Sequence, residues 1–160
     1  METSLIISFL QESIYLIIVF GIFFAIALLK GKQTLINVTL GLYFALLLSF
    51  EFPYFDQLLG LSSPKTQSLI MLLSFVGFTI FSTLLFNHLM PREFAEKSFE
   101  GFGKKMLFAS GATILVMVFS FHVLPITEFL SPGTPIQFLF APKDYFFWWL
   151  ITPMTILFVL

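Results

Sequence analysis

The sequence predicts an all-α membrane protein: a polytopic helical bundle with four transmembrane helices, a fifth C-terminal hydrophobic helix, and an amphipathic interfacial helix between helices three and four. Three observations carry that expectation. Of 160 residues, 58% are hydrophobic and 11% charged, whereas a soluble domain carries about a quarter charged residues. So few charges cannot cover a water-soluble globule, and the surplus apolar surface must face lipid. Apolar runs of spanning length recur along the chain, separated by links rich in lysine, glycine, proline or acids. One of those links, residues 91–105 (PREFAEKSFEGFGKK), is long, charged and interleaved with phenylalanine.

The first span is expected over 13–29, with Glu12 at the outer headgroup level and residues 4–10 extending the helix or lying along the surface. It follows an acidic N-terminus and has no small-residue cleavage site, so it reads as a retained span and not a signal peptide. After the basic turn Lys30-Gly31-Lys32, the second span covers 34–50. Gly41, Ala45 and Ser49 recur along it at four-residue spacing, a small-residue stripe that admits close approach of another helix. Gly21 and Ala25 form a shorter stripe in the first span, and so tight a turn predicts that the two stripes face each other. Pro53, Asp56, Gly60 and Pro64 mark a loop outside the membrane, and Ser62-Ser63-Pro64 is a helix start signal.

The third span covers 67–90, with Gly77 as a packing residue and Thr79, Ser82, Thr83 and Asn87 as a candidate polar pathway; Pro91 ends it. In the link that follows, helical spacing gathers Phe94, Phe99 and Phe102 on one side and Glu93, Glu96, Lys97, Glu100 and Lys104 on the other. Glu93–Lys97 and Glu100–Lys104 are four apart with the acid first, the favourable order. Such a helix lies in the interface, phenylalanines down. The fourth span, 106–124, carries the small cluster Ala109–Thr113, which includes Gly111. Prolines at 125, 132, 135 and 142 exclude a continuous helix over 126–142, whose apolar residues predict an interfacial cap. The last run, 145–160, opens with Tyr145, Trp148 and Trp149, an aromatic belt at a membrane boundary; its competitor is a re-entrant segment. No repeat interrupts this order, so residues 1–160 form a single integral membrane domain.

Orientation follows from lysine and arginine. Lys30, Lys32, Arg92, Lys97, Lys104 and Lys105 fall on one side, Lys65 and Lys143 on the other. The loops 30–33 and 91–105 are therefore expected in the cytoplasm and the N-terminus outside.

Catalytic spacings are not found. His88 and His122 lie at opposite ends of the bundle and cannot share a metal. The sequence has no cysteine, which removes thiol chemistry and thiolate metal sites. It lacks H-E-x-x-H, a phosphate-gripping glycine loop, a serine nucleophile in a glycine context and a membrane aspartate pair. The expectation is no enzyme, no catalytic residue, no metal and no cofactor. A net charge of −1 argues against nucleic acid as a partner.

The segment LLKGKQTLINVTLGLYFALLLS, an apolar helix, a basic-Gly turn and a glycine-containing second helix, resembles the start of the CvpA family, bacterial inner-membrane proteins named for colicin V production. The order of loop, third span, charged link and small-residue fourth span is similar too, over roughly residues 13–124. That family carries an Asp-Arg followed by glycines four residues apart. Here Gly103 and Gly111 stand at two of those positions, Leu107 occupies the one between, and no Asp-Arg precedes them. The resemblance implies a four-helix core in the bacterial inner membrane, associated with envelope homeostasis and export, and no catalytic residue.

The expected function is a non-enzymatic multi-pass inner-membrane subunit for assembly or scaffolding, as a homo-oligomer or in a larger complex. A channel or transporter subunit, forming a pore by oligomerisation, is the rival reading.

Overall fold

The computed structural model describes residues 2–55, 57, 60, 63–90, 101–123 and 135–159. Residues 91–100, with Phe94 and Phe99 of the expected amphipathic helix, lie outside the described residues, as do 124–134 of the proline-rich segment. Six helices follow in order: α1 (Glu2–Leu29), α2 (Lys32–Glu51), α3 (Pro64–Leu89), α4 (Phe102–His122), the short α5 (Pro135–Phe140) and α6 (Lys143–Val159). No strand occurs among the described residues. The first four are long and apolar enough to cross a membrane: Phe9–Leu29 within α1, Lys32–Glu51, Lys65–Leu89 and Phe102–His122.

Local chemistry explains the boundaries. Gly31 (φ 83°) and Gly101 (φ 107°) hold the left-handed backbone that lets the chain turn into α2 and α4. Ser63 is the N-cap of α3 and Pro64 stands in its first turn, where its missing N–H costs nothing. Glu12 does not break α1, which runs through it without interruption. The apolar window of that helix begins at Phe9, upstream of the expected start at residue 13.

α4 is the axis of the bundle. Phe108, Ala109, Ala112, Leu115, Met117, Val118 and Phe119 are all buried, and α1, α2, α5 and α6 pack around them. Small residues at 109–112 explain how one helix accepts that many neighbours. α1 runs antiparallel beside it, tied by the Tyr15 hydroxyl to Ser120 Oγ at 2.8 Å. At the other end the Phe24 and Phe102 rings meet edge to face, 5.3 Å apart. α3 lies outermost, packed chiefly on α2, and its buried Phe75 reaches in to stack on Phe119.

The expected pairing of the α1 and α2 stripes is corrected. α1 buries Val19, Phe23 and Ala27, four residues apart, against the core, and Gly21 and Ala25 fall on the opposite, exposed face. Nothing lies within 4 Å of a Cβ placed at Gly21. The α2 stripe turns to α3 instead. Chain connectivity through a tight turn brings two helices to the same neighbourhood, but complementary side chains decide which faces meet.

Candidate functional site

The chemistry-bearing side chains of α3 converge on α2. From the α1–α2 turn inward, Gln33 Nε2 donates to Asn37 Oδ1 at 3.3 Å, and Asn37 Nδ2 donates to Asn87 Oδ1 at 2.5 Å. Gln33 also reaches Met90 Sδ at 3.9 Å. One turn deeper, Gly41 meets α3 so closely that a Cβ there would collide with Thr83 Oγ1 and sit 3.1 Å from the Thr83 backbone nitrogen and 3.3 Å from the Thr79 carbonyl oxygen. Asn37 and Gly41 thus step down α2 as Asn87 and Thr83 step up α3, each pair one helical turn apart. Ala45, wholly buried, continues the α2 row, and Ser49 ends it, its Oγ donating to the Ala45 carbonyl at 2.7 Å.

The four residues of the candidate polar pathway therefore lie along or beside one helix–helix seam. Asn87 is spent on Asn37. Thr79 Oγ1 donates to the Phe75 carbonyl at 2.8 Å, which satisfies the hydroxyl within its own helix. Ser82 Oγ and Thr83 Oγ1 are buried without a hydrogen-bond partner. For Thr83 the geometry supplies a weak one, since the Gly41 hydrogen that a Cβ would replace points at its Oγ1. Gly77 faces away from this seam, exposed, with nothing within 4 Å of a Cβ.

A second seam joins α4 to α6. A Cβ at Gly111 would lie 3.4 Å from Pro153 Cβ and 3.6 Å from Ile156 Cδ1, so Pro153, buried inside α6, seats on the glycine. From the other side the Tyr43 hydroxyl of α2 donates to the Leu150 carbonyl. At the end of α4, the carbonyls that close α5 find donors from its neighbours. Trp149 Nε1 donates to the Leu139 oxygen at 2.8 Å, and His122 Nε2 lies 2.9 Å from the Phe140 oxygen. The last carbonyls of a helix have no partner of their own, and here two side chains bring α5 onto the α4–α6 pair. Trp148 stays exposed beside Tyr145, and with Leu139, Trp149 and Thr152 they line an open cleft of about 240 Å³.

Neither Pro153 nor Tyr43 stands out in the sequence. Proline in an apolar run reads as a breaker, and a tyrosine within a span reads as lipid-facing bulk. Their spacing from a partner more than 40 residues away carries no local signal. His88 and His122 lie at opposite ends of the bundle. Among the described residues no three histidine, cysteine, aspartate or glutamate side chains are grouped to hold a metal. Phe102, the one described member of the phenylalanine face, is exposed apart from its contact with Phe24. No family model, no curated protein and no solved structure matches the chain.

Proposed function

We propose that the protein is a non-enzymatic multi-pass subunit of a bacterial inner membrane that works through assembly, as a homo-oligomer or within a larger complex. The observation that carries this reading is the use to which most polar groups between the helices are put. Asn37, Asn87, Thr79, Tyr15, Ser120 and Tyr43 all tie the helices of this chain to themselves or to each other. Most of what remains outward along α1 and α3 is apolar, including Ile17, Ile18 and Ile22 on one and Leu73, Phe81 and Leu84 on the other. The CvpA resemblance supports the same compartment and a role in envelope homeostasis or export. With loops 30–33 and 91–105 in the cytoplasm and the N-terminus outside, residues 91–105 would offer partners an interfacial helix.

α6 enters this reading as a fifth span. Its 17 residues extend about 25 Å at the usual helical rise. Pro153 sits against Gly111, midway along α4, and Leu150 against Tyr43, near the middle of α2. Both contacts support placing the centre of α6 at mid-membrane depth. The chain has no native cysteine, so single cysteines report sidedness directly. Lys143→Cys and Val159→Cys are expected to react with an impermeant maleimide from opposite faces of the membrane; labelling from one face would make α6 re-entrant.

Native mass spectrometry after gentle detergent extraction tests the main reading. A fixed stoichiometry, alone or with another protein, is the expected result, and a monomer throughout would overturn it. The pore reading draws on one observation, the unpartnered hydroxyls of Ser82 and Thr83. In proteoliposomes, Ser82→Ala and Thr83→Val leave ion flux unchanged if the seam is packing, and alter it if the oligomer conducts through this face.

A further inference from the structure

The turn of α6 around Pro153 is held by hydroxyls as much as by its own amides. Pro153 has no N–H to offer the Trp149 carbonyl four residues back. Its ring also crowds that carbonyl, which loosens the next helical bond, from the Met154 N–H to the Leu150 oxygen. The Tyr43 hydroxyl of α2 stands at that bond, donating to the Leu150 carbonyl and accepting from the Met154 N–H. On either side, Thr152 Oγ1 donates to the Trp148 carbonyl at 2.8 Å and Thr155 Oγ1 to the Ile151 carbonyl at 3.0 Å. Of the consecutive carbonyls from Trp148 to Ile151, all but that of Trp149 accept from a hydroxyl, and Trp149 lies opposite the proline nitrogen. Threonine hydroxyls bonded back along a helix bend it, and helices kink where a side chain enters the ladder.

The two halves of α6 are held unequally. Before Pro153, the Phe146 ring meets Phe50 of α2 and His122 of α4 edge to face, at 5.8 and 4.7 Å. Trp149 adds its bond to the Leu139 oxygen. After Pro153, Ile156 and Leu157 pack on the core through apolar contact, while Met154, Phe158 and Val159 are exposed. Apolar contact with a neighbouring helix competes with similar contact with lipid, whereas a hydrogen bond fixes one position.

We propose that Pro153 is a hinge and the Tyr43 hydroxyl its latch. With the latch closed, residues 154–159 lie against α4; with it open they swing away while residues 143–152 stay in place. The hydroxyl stands in for the main-chain bond that proline weakens, and it does so only while α2 and α6 are in register. The inference depends neither on assembly nor on which side of the membrane each end faces. A turn of roughly 20° about Pro153 carries Val159, about 9 Å further along, through about 3 Å.

The test is pulsed electron paramagnetic resonance between spin labels on the full chain, which has no native cysteine. Leu29→Cys with Val159→Cys reports the second half of α6, and Gln11→Cys with Asp144→Cys reports the first half; all four sites are exposed. Tyr43→Phe is expected to broaden or shift the 29–159 distance by about 3 Å or more. The 11–144 distance should stay unchanged, and the melting temperature should fall by only a few degrees. Adding Pro153→Ala restores the N–H to the Trp149 carbonyl and is expected to return the 29–159 distance to its wild-type width. An unchanged 29–159 distance in folded Tyr43→Phe would overturn the proposal. So would both distances changing together, or broadening that persists after Pro153→Ala, which would make Tyr43 a packing residue only. If Tyr43→Phe does not fold, labelled wild type is warmed in steps below its melting transition. The 29–159 distribution should then broaden before the 11–144 distribution, and simultaneous broadening would overturn the hinge.

Discussion

Gly41 and Gly111 stand near the middle of their helices, and each receives a partner helix, but the two seams are built differently. Gly41 is met by main chain: Thr83 N and the Thr79 carbonyl oxygen lie within 3.3 Å of where a Cβ would go, and Thr83 Oγ1 fills the space itself. Gly111 is met by the ring of Pro153 and the tip of Ile156, no closer than 3.4 Å. The first seam has a polar end, Asn37 to Asn87, and the second has a hydroxyl tie from outside, Tyr43 to Leu150. Between helices in lipid there is little hydrophobic driving force, so close packing and hydrogen bonds must hold them. α3, which touches little besides α2, depends on the Gly41 seam. α6 has α2, α4 and α5 to hold it, and is correspondingly less sensitive to any one contact.

The largest expected effect breaks the first seam. Gly41→Leu should detach α3 and abolish a cooperative thermal transition in detergent. Gly41→Ala forces the backbones apart, at about 1–3 kcal/mol for overpacking, offset by about 1 kcal/mol of helix propensity. A lower melting temperature by scanning fluorimetry is the expected net result. If Gly41→Ala melts no earlier than wild type, the close approach to Thr83 is not what holds α3.

Next comes the polar end. Asn37→Ala leaves Asn87 without its buried partner, and the double variant Asn37→Ala/Asn87→Ala removes the mismatch. A double-mutant cycle should return a coupling of about 0.6–2 kcal/mol, the range found for hydrogen bonds between membrane helices. Strict additivity would mean the pair contributes nothing to the seam.

The sequence made the helices legible and left their partners hidden. Hydropathy, Gly31, Ser63-Pro64 and Pro91 are local signals, and four spans follow from them within a few residues. The stripe at Gly41, Ala45 and Ser49 was legible as a packing face too. Its partner was not, because the answer depends on Thr83 and Asn87 arriving at matching heights on α3. In α1 the same small-residue rule pointed to Gly21 and Ala25, whereas the buried row is Val19, Phe23 and Ala27. Bulky side chains pack as well as small ones where the neighbour, α4, supplies the small residues. Pro153 shows the converse limit. Its ring is a liability in an isolated helix, and only the hollow at Gly111 turns it into a contact.

The second seam predicts a contrast with the first for the same substitution. Gly111→Ala places a methyl at ordinary to tight van der Waals distance from Pro153 and gains helix propensity. Its melting temperature should stay within a degree or two of wild type, from a change of roughly 0.5 kcal/mol or less. Matching losses at Gly41 and Gly111 would erase the distinction between main-chain and side-chain contact.

The smallest effect is expected at Gly21, and it reaches beyond the monomer. A Cβ there meets nothing within 4 Å, so within one chain Gly21→Ala is neutral or stabilising by up to about 1 kcal/mol. The face it shares with Ala25 is exposed and apolar, and small residues on such a face permit a second helix to come close. Melting temperature and native mass are measured together on Gly21→Ala and on Gly21→Leu. Unchanged stoichiometry in both, with stability equal to or above wild type, makes this face a lipid contact and moves the assembly surface elsewhere. A shift to smaller species with the subunit still folded would make the face an interface between subunits. The stripe that does not pair within the chain would then pair between chains.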